Sequence, residues 1–505
     1  MANNKSSRPE RTLIGGSLDI PRMVSGLWQL AGGHDQNVDV KAAAKAMEPL
    51  IEAGLDCFDM ADHYGDAELV MGQHNLASTK KIIAFTKWCP PENGVTSFEN
   101  AEKAVDLALE RMKQEKIQLM QYHAWDYTDD SYIRNLEHLR TLQKQGKIGM
   151  IGMTNTDAAH LELLINTGFK ITTNQVSCSV IDRRHVRGRL ASVCTEHDVG
   201  ILAYGTLLGG YLSEKWLGVE EPEDETELNW SLRKYLRFIN AAGGWSAYQV
   251  VLQALSTVAK KHGVGISAVA TRHVLDLPAV SAVIVGSRLS NTSDKYTMSN
   301  LEAFNFALDA EDRALIAKAQ EGLSDIPGDC GDEYRRPPFL TAKGDLSDHL
   351  KETDHDVEIA KAIAGGARVE YSSGSHWEPI ASYCRAVRTG NTIRVSGTTA
   401  NSPVSSIPAI GGKSARSQTV AILDIVARAI KALGGDLSDV VRTRIFLQKE
   451  GDVEAVSLAH GWAFKCVGVR PSNTLVVSGV IGDEFLVEIE VEAELGCREV
   501  HAPSG

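Results

Sequence analysis

At 505 residues the chain is too long for one hydrophobic core, so two or more domains are expected. A 43% hydrophobic and 23% charged composition is that of a globular protein, and excludes a collagenous, low-complexity or wholly disordered one. The net charge of −13 excludes a broad nucleic-acid-binding face, which needs Lys and Arg in excess, but leaves room for a local basic pocket gripping one phosphate.

In chain order, the polar start MANNKSSRPERT has no apolar core of a secretory signal, and no apolar run approaches the ~20 residues that span a bilayer. TLIGGSLDIPRM then reads as a hairpin suited to plug the bottom of a barrel. From about residue 23 to 320, apolar strands alternate with amphipathic helices. The strand candidates are MVSGLWQL, CFDMAD, KIIAFTKW, IQLMQYHAW, IGMIGMTN, FKITTNQVS, GILAYGTL and VSAVIVGS. VKAAAKAMEPLIEAG, SFENAEKAVDLALERMKQ, YIRNLEHLRTLQKQG and YQVVLQALSTVAKKHG carry apolar residues at helical spacing and end in or near Gly. Eight such pairs predict an α/β fold of the parallel (β/α)8 barrel type, over residues 11–321. An open doubly wound sheet is the rival, and the absence of G-x-G-x-x-G after the first strand counts against it. The acidic insertion LLGGYLSEKWLGVEEPEDETELNW reads either as a lid or as a solvated loop.

Residues 322–365 are rich in Asp, Gly and Pro and read as a linker, with Tyr334 and Phe339 available to pin it to a neighbouring surface. Patterning resumes over 366–500, with strands at NTIRVSGTT, VVRTRIFL, SNTLVVSGV and EFLVEIEVEAEL. Long helices lie at SARSQTVAILDIVARAIKALGG and DVEAVSLAHGWAFKCVG. This predicts an α+β unit with helices on one face of its sheet. The eight cysteines form no C-x-x-C pair and no metal-ligand spacing, so a reducing compartment and no structural zinc are expected. The simplest setting is cytoplasmic.

Active sites of such barrels lie at the C-terminal ends of the strands. Asp59, Lys87 and His123 end three successive strands, and Tyr64 follows the first of them. Tyrosine, with an ordinary pKa of ~10, is a poor proton donor at neutral pH. A lysine cation beside it favours the phenolate, an aspartate keeps that lysine charged and aimed, and an imidazole orients a carbonyl oxygen. Such a set protonates an alkoxide as it forms, one half of a carbonyl reduction. Asp62 and His63 are expected to be bystanders. Trp28, Trp88 and Trp125 flank the mouth as candidate substrate walls, or as rim filling. Trp125 shares a face with His123 provided the strand extends that far.

D-x-A-x-x-Y-G (Asp59 to Gly65), Lys87 and His123 resemble the tetrad of the aldo/keto reductase superfamily, over roughly residues 11–320. That resemblance implies reduction of an aldehyde or ketone, or the reverse alcohol oxidation, with a nicotinamide cofactor. It further implies that Thr154, Asn155 and Gln175 bind the carboxamide, Tyr204 stacks on the nicotinamide, and Gly205, Thr206 and Leu207 follow the pyrophosphate. Gly26 joins the cofactor set. Ser287 and Arg288 resemble a 2′-phosphate pair, favouring NADPH. Asn300 corresponds to an adenine contact, although its spacing from Gly286 is longer than the family's pattern; Asn291 and Ser293 are secondary candidates. Thr154 as a helix cap and Tyr204 as barrel filling stand as alternatives.

RVSGTTA, ALGGDLSDVVRTRIFL, LAHGWAF, RPSN and VEIEVEAE resemble the reactive-intermediate deaminase (Rid, YjgF-like) family, implying a chorismate-mutase-like α+β fold. The resemblance also implies a homo-oligomer, a trimer with intersubunit clefts. Some members hydrolyse enamines and imines, gripping a carboxylate with an arginine two residues after a proline. Here Asn473 stands in that place, and a neutral amide cannot supply a bidentate ionic grip. Glu488 matches the family's acidic position, and His460 and Arg470 are further cleft candidates. A trimerising or binding module and an altered deaminase both stand open. For the whole chain, a bifunctional enzyme and a NADP(H) sensor with little turnover stand beside the reductase reading. Expected partners are a small carbonyl or alcohol substrate and further copies of the chain, with no nucleic acid and no membrane.

Overall fold

The computed structural model describes residues 8–31, 38–90, 97–289, 293–335, 357–358, 361–362 and 364–496. Two compact units are present, one built on a closed barrel and one on a six-stranded sheet. No helix among the described residues is long and apolar enough to cross a membrane.

The barrel unit opens with a hairpin, β1 (Arg11–Ile14) and β2 (Leu18–Pro21), paired antiparallel. Eight parallel strands follow: β3 (Met23–Gly26), β4 (Cys57–Asp59), β5 (Ile83–Trp88), β6 (Ile117–Tyr122), β7 (Ile148–Thr154), β8 (Thr173–Ser177), β9 (Gly200–Tyr204) and β10 (Val280–Gly286). β10 pairs with both β9 and β3 and so closes the ring. Side chains alternate across each strand, and the inward set fills the interior. Val24, Cys57, Phe85, Leu119, Leu202, Ala282 and Ile284 pack there with Ile14 and Ile20 of the hairpin, which therefore closes the barrel floor.

The helices form where the periodicity predicts them, and local chemistry sets their ends. Ser97 caps Phe98–Met112 by accepting from Asn100 N at 3.1 Å, and Gly263 ends Gly244–His262 in the left-handed region. The run 40–54 is not one helix but two, Val40–Lys45 and Glu48–Glu52, because Pro49 cannot continue the first and suits the opening turn of the second.

The acidic insertion after β9 is neither wholly irregular nor wholly solvated. Tyr211, Trp216, Trp245 and Tyr248 form a buried aromatic cluster that anchors it. Asn229 then caps a helix at Trp230–Ala241, accepting from Leu232 N at 3.0 Å. The segment expected as a linker over 322–365 is described without a break as far as Arg335, and up to that point it packs into the barrel unit. Cys330, Asp332, Glu333 and Tyr334 are all buried. Asp, Gly and Pro make it turn tightly rather than float.

The second unit's sheet runs β11 (Val369–Tyr371), β12 (Ala386–Thr389), β13 (Thr392–Thr398), β16 (Val487–Glu494), β14 (Val440–Leu447) and β15 (Ser472–Val477). All pairs are antiparallel except β14 with β15. Every second residue of β16 is buried, because helices Ala415–Lys431 and Val453–Cys466 cover one face only. The short strands β11 and β12 carry too little patterning to be read from sequence.

Candidate active site

The strand ends of the barrel bring four of the expected side chains into one cavity of about 580 Å³, which Asp59, Tyr64, Lys87 and His123 all line. Asp59 and Lys87 end inward-facing positions of β4 and β5 and are almost fully buried. Lys87 Nζ donates to Asp59 Oδ2 at 2.6 Å and to Met60 O at 2.7 Å. The same ammonium lies 5.0 Å from the centroid of the Tyr64 ring. Sequence reading missed Gln121. Its Nε2 and that of Gln175 each donate to Asp59 Oδ1 at 2.8 Å, and Gln175 Nε2 also reaches Gln121 Oε1 at 2.8 Å. Gln175 thus belongs to the carboxylate's support as well as to the cavity lining. The signal was present: Leu119, Gln121 and His123 occupy alternate, inward positions.

β6 ends at Tyr122, so strand alternation does not carry Trp125 to the cavity as expected; the turn does. His123 N still donates to Trp88 O at 3.1 Å, extending the ladder by one residue. The chain then folds so that the Trp125 ring lies 3.9 Å from the imidazole. Trp28 also lines the cavity, whereas Trp88 does not. Lys87 points inward, so the next side chain points outward, and Trp88 packs on Tyr122 at 5.7 Å. Asp62 accepts from Cys89 N at 2.9 Å and faces His63 Nδ1 at 2.9 Å.

Gly26, Thr154, Asn155, Gln175, Tyr204, Gly205, Thr206, Leu207, Ser287, Arg288 and Asn300 all line the same cavity. Asn291 and the side chain of Ser293 fall outside the described residues. Gly205 sits at φ +71°, and a Cβ there would meet the Tyr235 hydroxyl at 2.7 Å. Asn155 holds a left-handed φ of 53°, a conformation asparagine tolerates and one that clusters at functional sites. Its Oδ1 accepts from the Tyr204 hydroxyl at 2.7 Å. Burial, then Tyr334 and Glu333, push the Tyr204 phenol well up, so it remains a donor. Amide and hydroxyl groups of Thr154, Asn155, Gln175 and Tyr204 thus line the same cavity as Ser287 and the exposed guanidinium of Arg288.

Two elements that sequence reading did not place in the site complete its wall. The segment 328–335 is a strap tied by Arg184, which forks onto Asp182 at 2.8 and 2.7 Å and reaches Glu333 Oε2 at 2.6 Å. Arg335 donates to Asn155 O at 2.5 Å and to Ala124 O at 3.1 Å. The strap sets Tyr334 edge-on to His123 at 5.3 Å, beside Trp125 and Cys89. From helix 230–241, Lys234 Nζ donates to the Tyr334 hydroxyl at 2.8 Å. Neither carries a local motif: both depend on how long connections fold.

In the second unit, Thr443 Oγ1 donates to Asn473 Oδ1 at 3.2 Å and lies 3.0 Å from His460 Nε2. Burial lowers the His460 imidazole below its ordinary range. Glu488 is not part of that group within one chain. Asn473 is registered with Thr443, whereas Glu488 is registered with Phe446, three residues along β14, and so faces the opposite side of the sheet. Burial, then Glu490, raises the Glu488 carboxyl, against Arg385. Arg470 is exposed.

Residues 22–321 match the profile of the Aldo/keto reductase family, and residues 374–495 that of Endoribonuclease L-PSP. Flagellar radial spoke protein 5 of Chlamydomonas reinhardtii is 35% identical over 133 residues, 26% of this chain and 25% of that protein. The chain thus spans about a quarter of that relative's length. Chloroplastic pyridoxal reductase of Arabidopsis thaliana is 24% identical over 273 residues, 49% of this chain and 70% of that protein. The glycerol dehydrogenase structure from Gluconobacter oxydans superposes with a TM-score of 0.51 at 19% identity, covering 64% of this chain and 98% of that one, a likeness of fold.

Proposed function

Because the chain belongs to the aldo/keto reductase family, we propose that it is an NADPH-dependent oxidoreductase that reduces an aldehyde or ketone, or runs the reverse oxidation of an alcohol. The observation that carries this reading is Lys87, held by Asp59 at 2.6 Å and set 5.0 Å from the Tyr64 ring in the cavity that His123 also lines. When bound, a nicotinamide cofactor would supply the hydride for reduction, or take it up in the reverse direction. Tyr64 gives the substrate oxygen its proton, and the adjacent ammonium stabilises the negative charge this leaves on the phenol. Asp59, itself fixed by Gln121 and Gln175, keeps Lys87 aimed. His123 donates to the carbonyl oxygen, and Trp28 and Trp125 flank the substrate. Stopped-flow mixing of the NADPH-loaded protein with a panel of aldehydes tests the reading. Rapid loss of cofactor absorbance is expected; unchanged absorbance across the panel would instead favour a cofactor sensor.

Asn155, Thr154 and Gln175 would hold the carboxamide, and Tyr204 the nicotinamide face. Gly205, Thr206 and Leu207 would follow the pyrophosphate, with Asn300 near the adenine. Ser287 and Arg288 would grip the 2′-phosphate, so Arg288→Ala is expected to weaken NADPH binding by about 10–100-fold, the worth of a charge-assisted contact. NADH binding should change little, and fluorescence titration of both cofactors checks the difference.

The second unit serves in this reading as a trimerising or ligand-binding module. Exposed Val441, Val476, Val477 and Ile481 support self-association. The neutral Asn473, oriented by Thr443, favours a ligand other than an amino-acid-derived imine. Light scattering on the full chain is expected to give a trimer, and the Tyr64→Phe variant should show no imine hydrolysis above buffer.

A further inference from the structure

We propose that Asp62, His63 and Cys89 form a binding site for one zinc ion in the wall of the active-site cavity, and that the bound ion slows turnover there. The second half of this inference rests on the reductase reading; the first half does not.

The backbone brings the three residues together. β4 and β5 run parallel, and their ladder continues past the end of β4, with Met60 N donating to Phe85 O at 2.9 Å and Asp62 N to Lys87 O at 3.1 Å. Asp62 therefore arrives beside Cys89, 27 residues along the chain, a separation at which no linear metal-binding pattern shows. Cys89 N donates to Asp62 Oδ2 at 2.9 Å, and the other carboxylate oxygen faces His63 Nδ1 at 2.9 Å. One sulfur, one nitrogen and one oxygen donor from these residues all lie within 4.8 Å of one another. Two ligands at ~2.0 Å from a tetrahedral ion stand ~3.3 Å apart, so the carboxylate and the imidazole need to open by only about 0.4 Å. Their side chains, 32% and 28% exposed, have the freedom to do so. His63 and Cys89 line the cavity with Tyr64, and the imidazole sits edge-on to the Tyr64 ring at 4.8 Å.

The donor set selects the ion. A thiolate, an imidazole and a carboxylate suit zinc, whereas magnesium and calcium take oxygen ligands. Binding releases the thiol proton to water, and thiolate and carboxylate together neutralise the two charges of the ion. Three protein ligands leave a fourth position for a water or a substrate oxygen. A carbonyl drawn to the ion is held away from the proton of Tyr64, and reduction slows.

Calorimetric titration of zinc chloride into the full chain, first stripped with a chelator, is expected to show one site that a large excess of magnesium does not displace. Cys89→Ser, His63→Gln and Asp62→Asn should each weaken it by about tenfold or more. Cobalt in place of zinc reads the sulfur directly, through a thiolate charge-transfer band expected in the wild type and lost in Cys89→Ser. Absence of that band would overturn the proposal, as would a band and affinity that survive all three substitutions, the mark of an adventitious ion only. His63→Gln and Asp62→Asn decide the matter where Cys89→Ser fails to fold. NADPH-driven aldehyde reduction is measured separately, and should fall by about tenfold or more at zinc saturation and recover on chelation. Unchanged turnover with zinc bound would overturn the inhibition. Absence of turnover with or without the ion would remove the reductase reading, and the inhibition with it, and leave the zinc site standing.

Discussion

Tyr64→Phe is expected to lower turnover by about 10²–10⁴-fold while leaving cofactor affinity unchanged. The substitution deletes one hydroxyl and keeps the ring that Lys87 faces at 5.0 Å. Asp59, Gln121 and Gln175 remain bonded to one another, so the cavity keeps its shape. What disappears is the proton donor, and the alkoxide must then take its proton from water or from His123. Single-turnover measurement of NADPH oxidation separates the chemical step from binding and product release. Turnover within a few-fold of wild type would remove Tyr64 from its role. A parallel loss of cofactor affinity would point to a collapsed mouth instead.

Arg184→Met is expected to destabilise the barrel unit by about 3–5 kcal/mol, the usual cost of removing one partner from a buried ionic group. Arg184, Asp182 and Glu333 are respectively 4%, 0% and 2% exposed. Burial works against the Arg184 charge, but Asp182 and then Glu333 outweigh it and hold the guanidinium's pKa above its ordinary value. Without it, two carboxylates are left buried and unneutralised. Because Glu333 directly precedes Tyr334, the same variant should also loosen the strap that sets Tyr334 edge-on to His123. Urea titration gives the stability change as a shift in midpoint, and a shift corresponding to under 1 kcal/mol would contradict the account. Restoring much of the loss by also replacing Asp182 and Glu333 with apolar residues would show that the uncompensated charge was the cause.

The barrel, and the meeting of Asp59, Tyr64, Lys87 and His123 in its cavity, were legible in sequence because their signals are local. An apolar run ending in Asp59, Lys87 or His123 announces both the strand and the place where its polar end emerges. Alternation within β5 also held enough to exclude Trp88 from the cavity, since Phe85 and Lys87 share the inward face. Gln121 was hidden by the reverse error, a polar residue read as part of an apolar run. Lys234 and Tyr334 could not be found this way. Their meeting closes a loop of 100 residues, and neither helix periodicity nor an Asp/Gly/Pro-rich composition says where such a loop returns. Opposite faces of the sheet likewise separate Asn473 on β15 from Glu488 on β16, which a motif written on one line cannot reveal.

A lysine ammonium has three N–H bonds to direct. In this site Asp59 takes one and the Met60 carbonyl takes another, leaving a single proton free to point at the cavity. Asp59 in turn has its second oxygen filled by two glutamine amides. An orientational choice that free ions in water would remake at each collision is thereby settled once, when the chain folds. Little rearrangement is then left for the catalytic cycle, and a dipole already in place responds to a developing charge without having to be turned toward it.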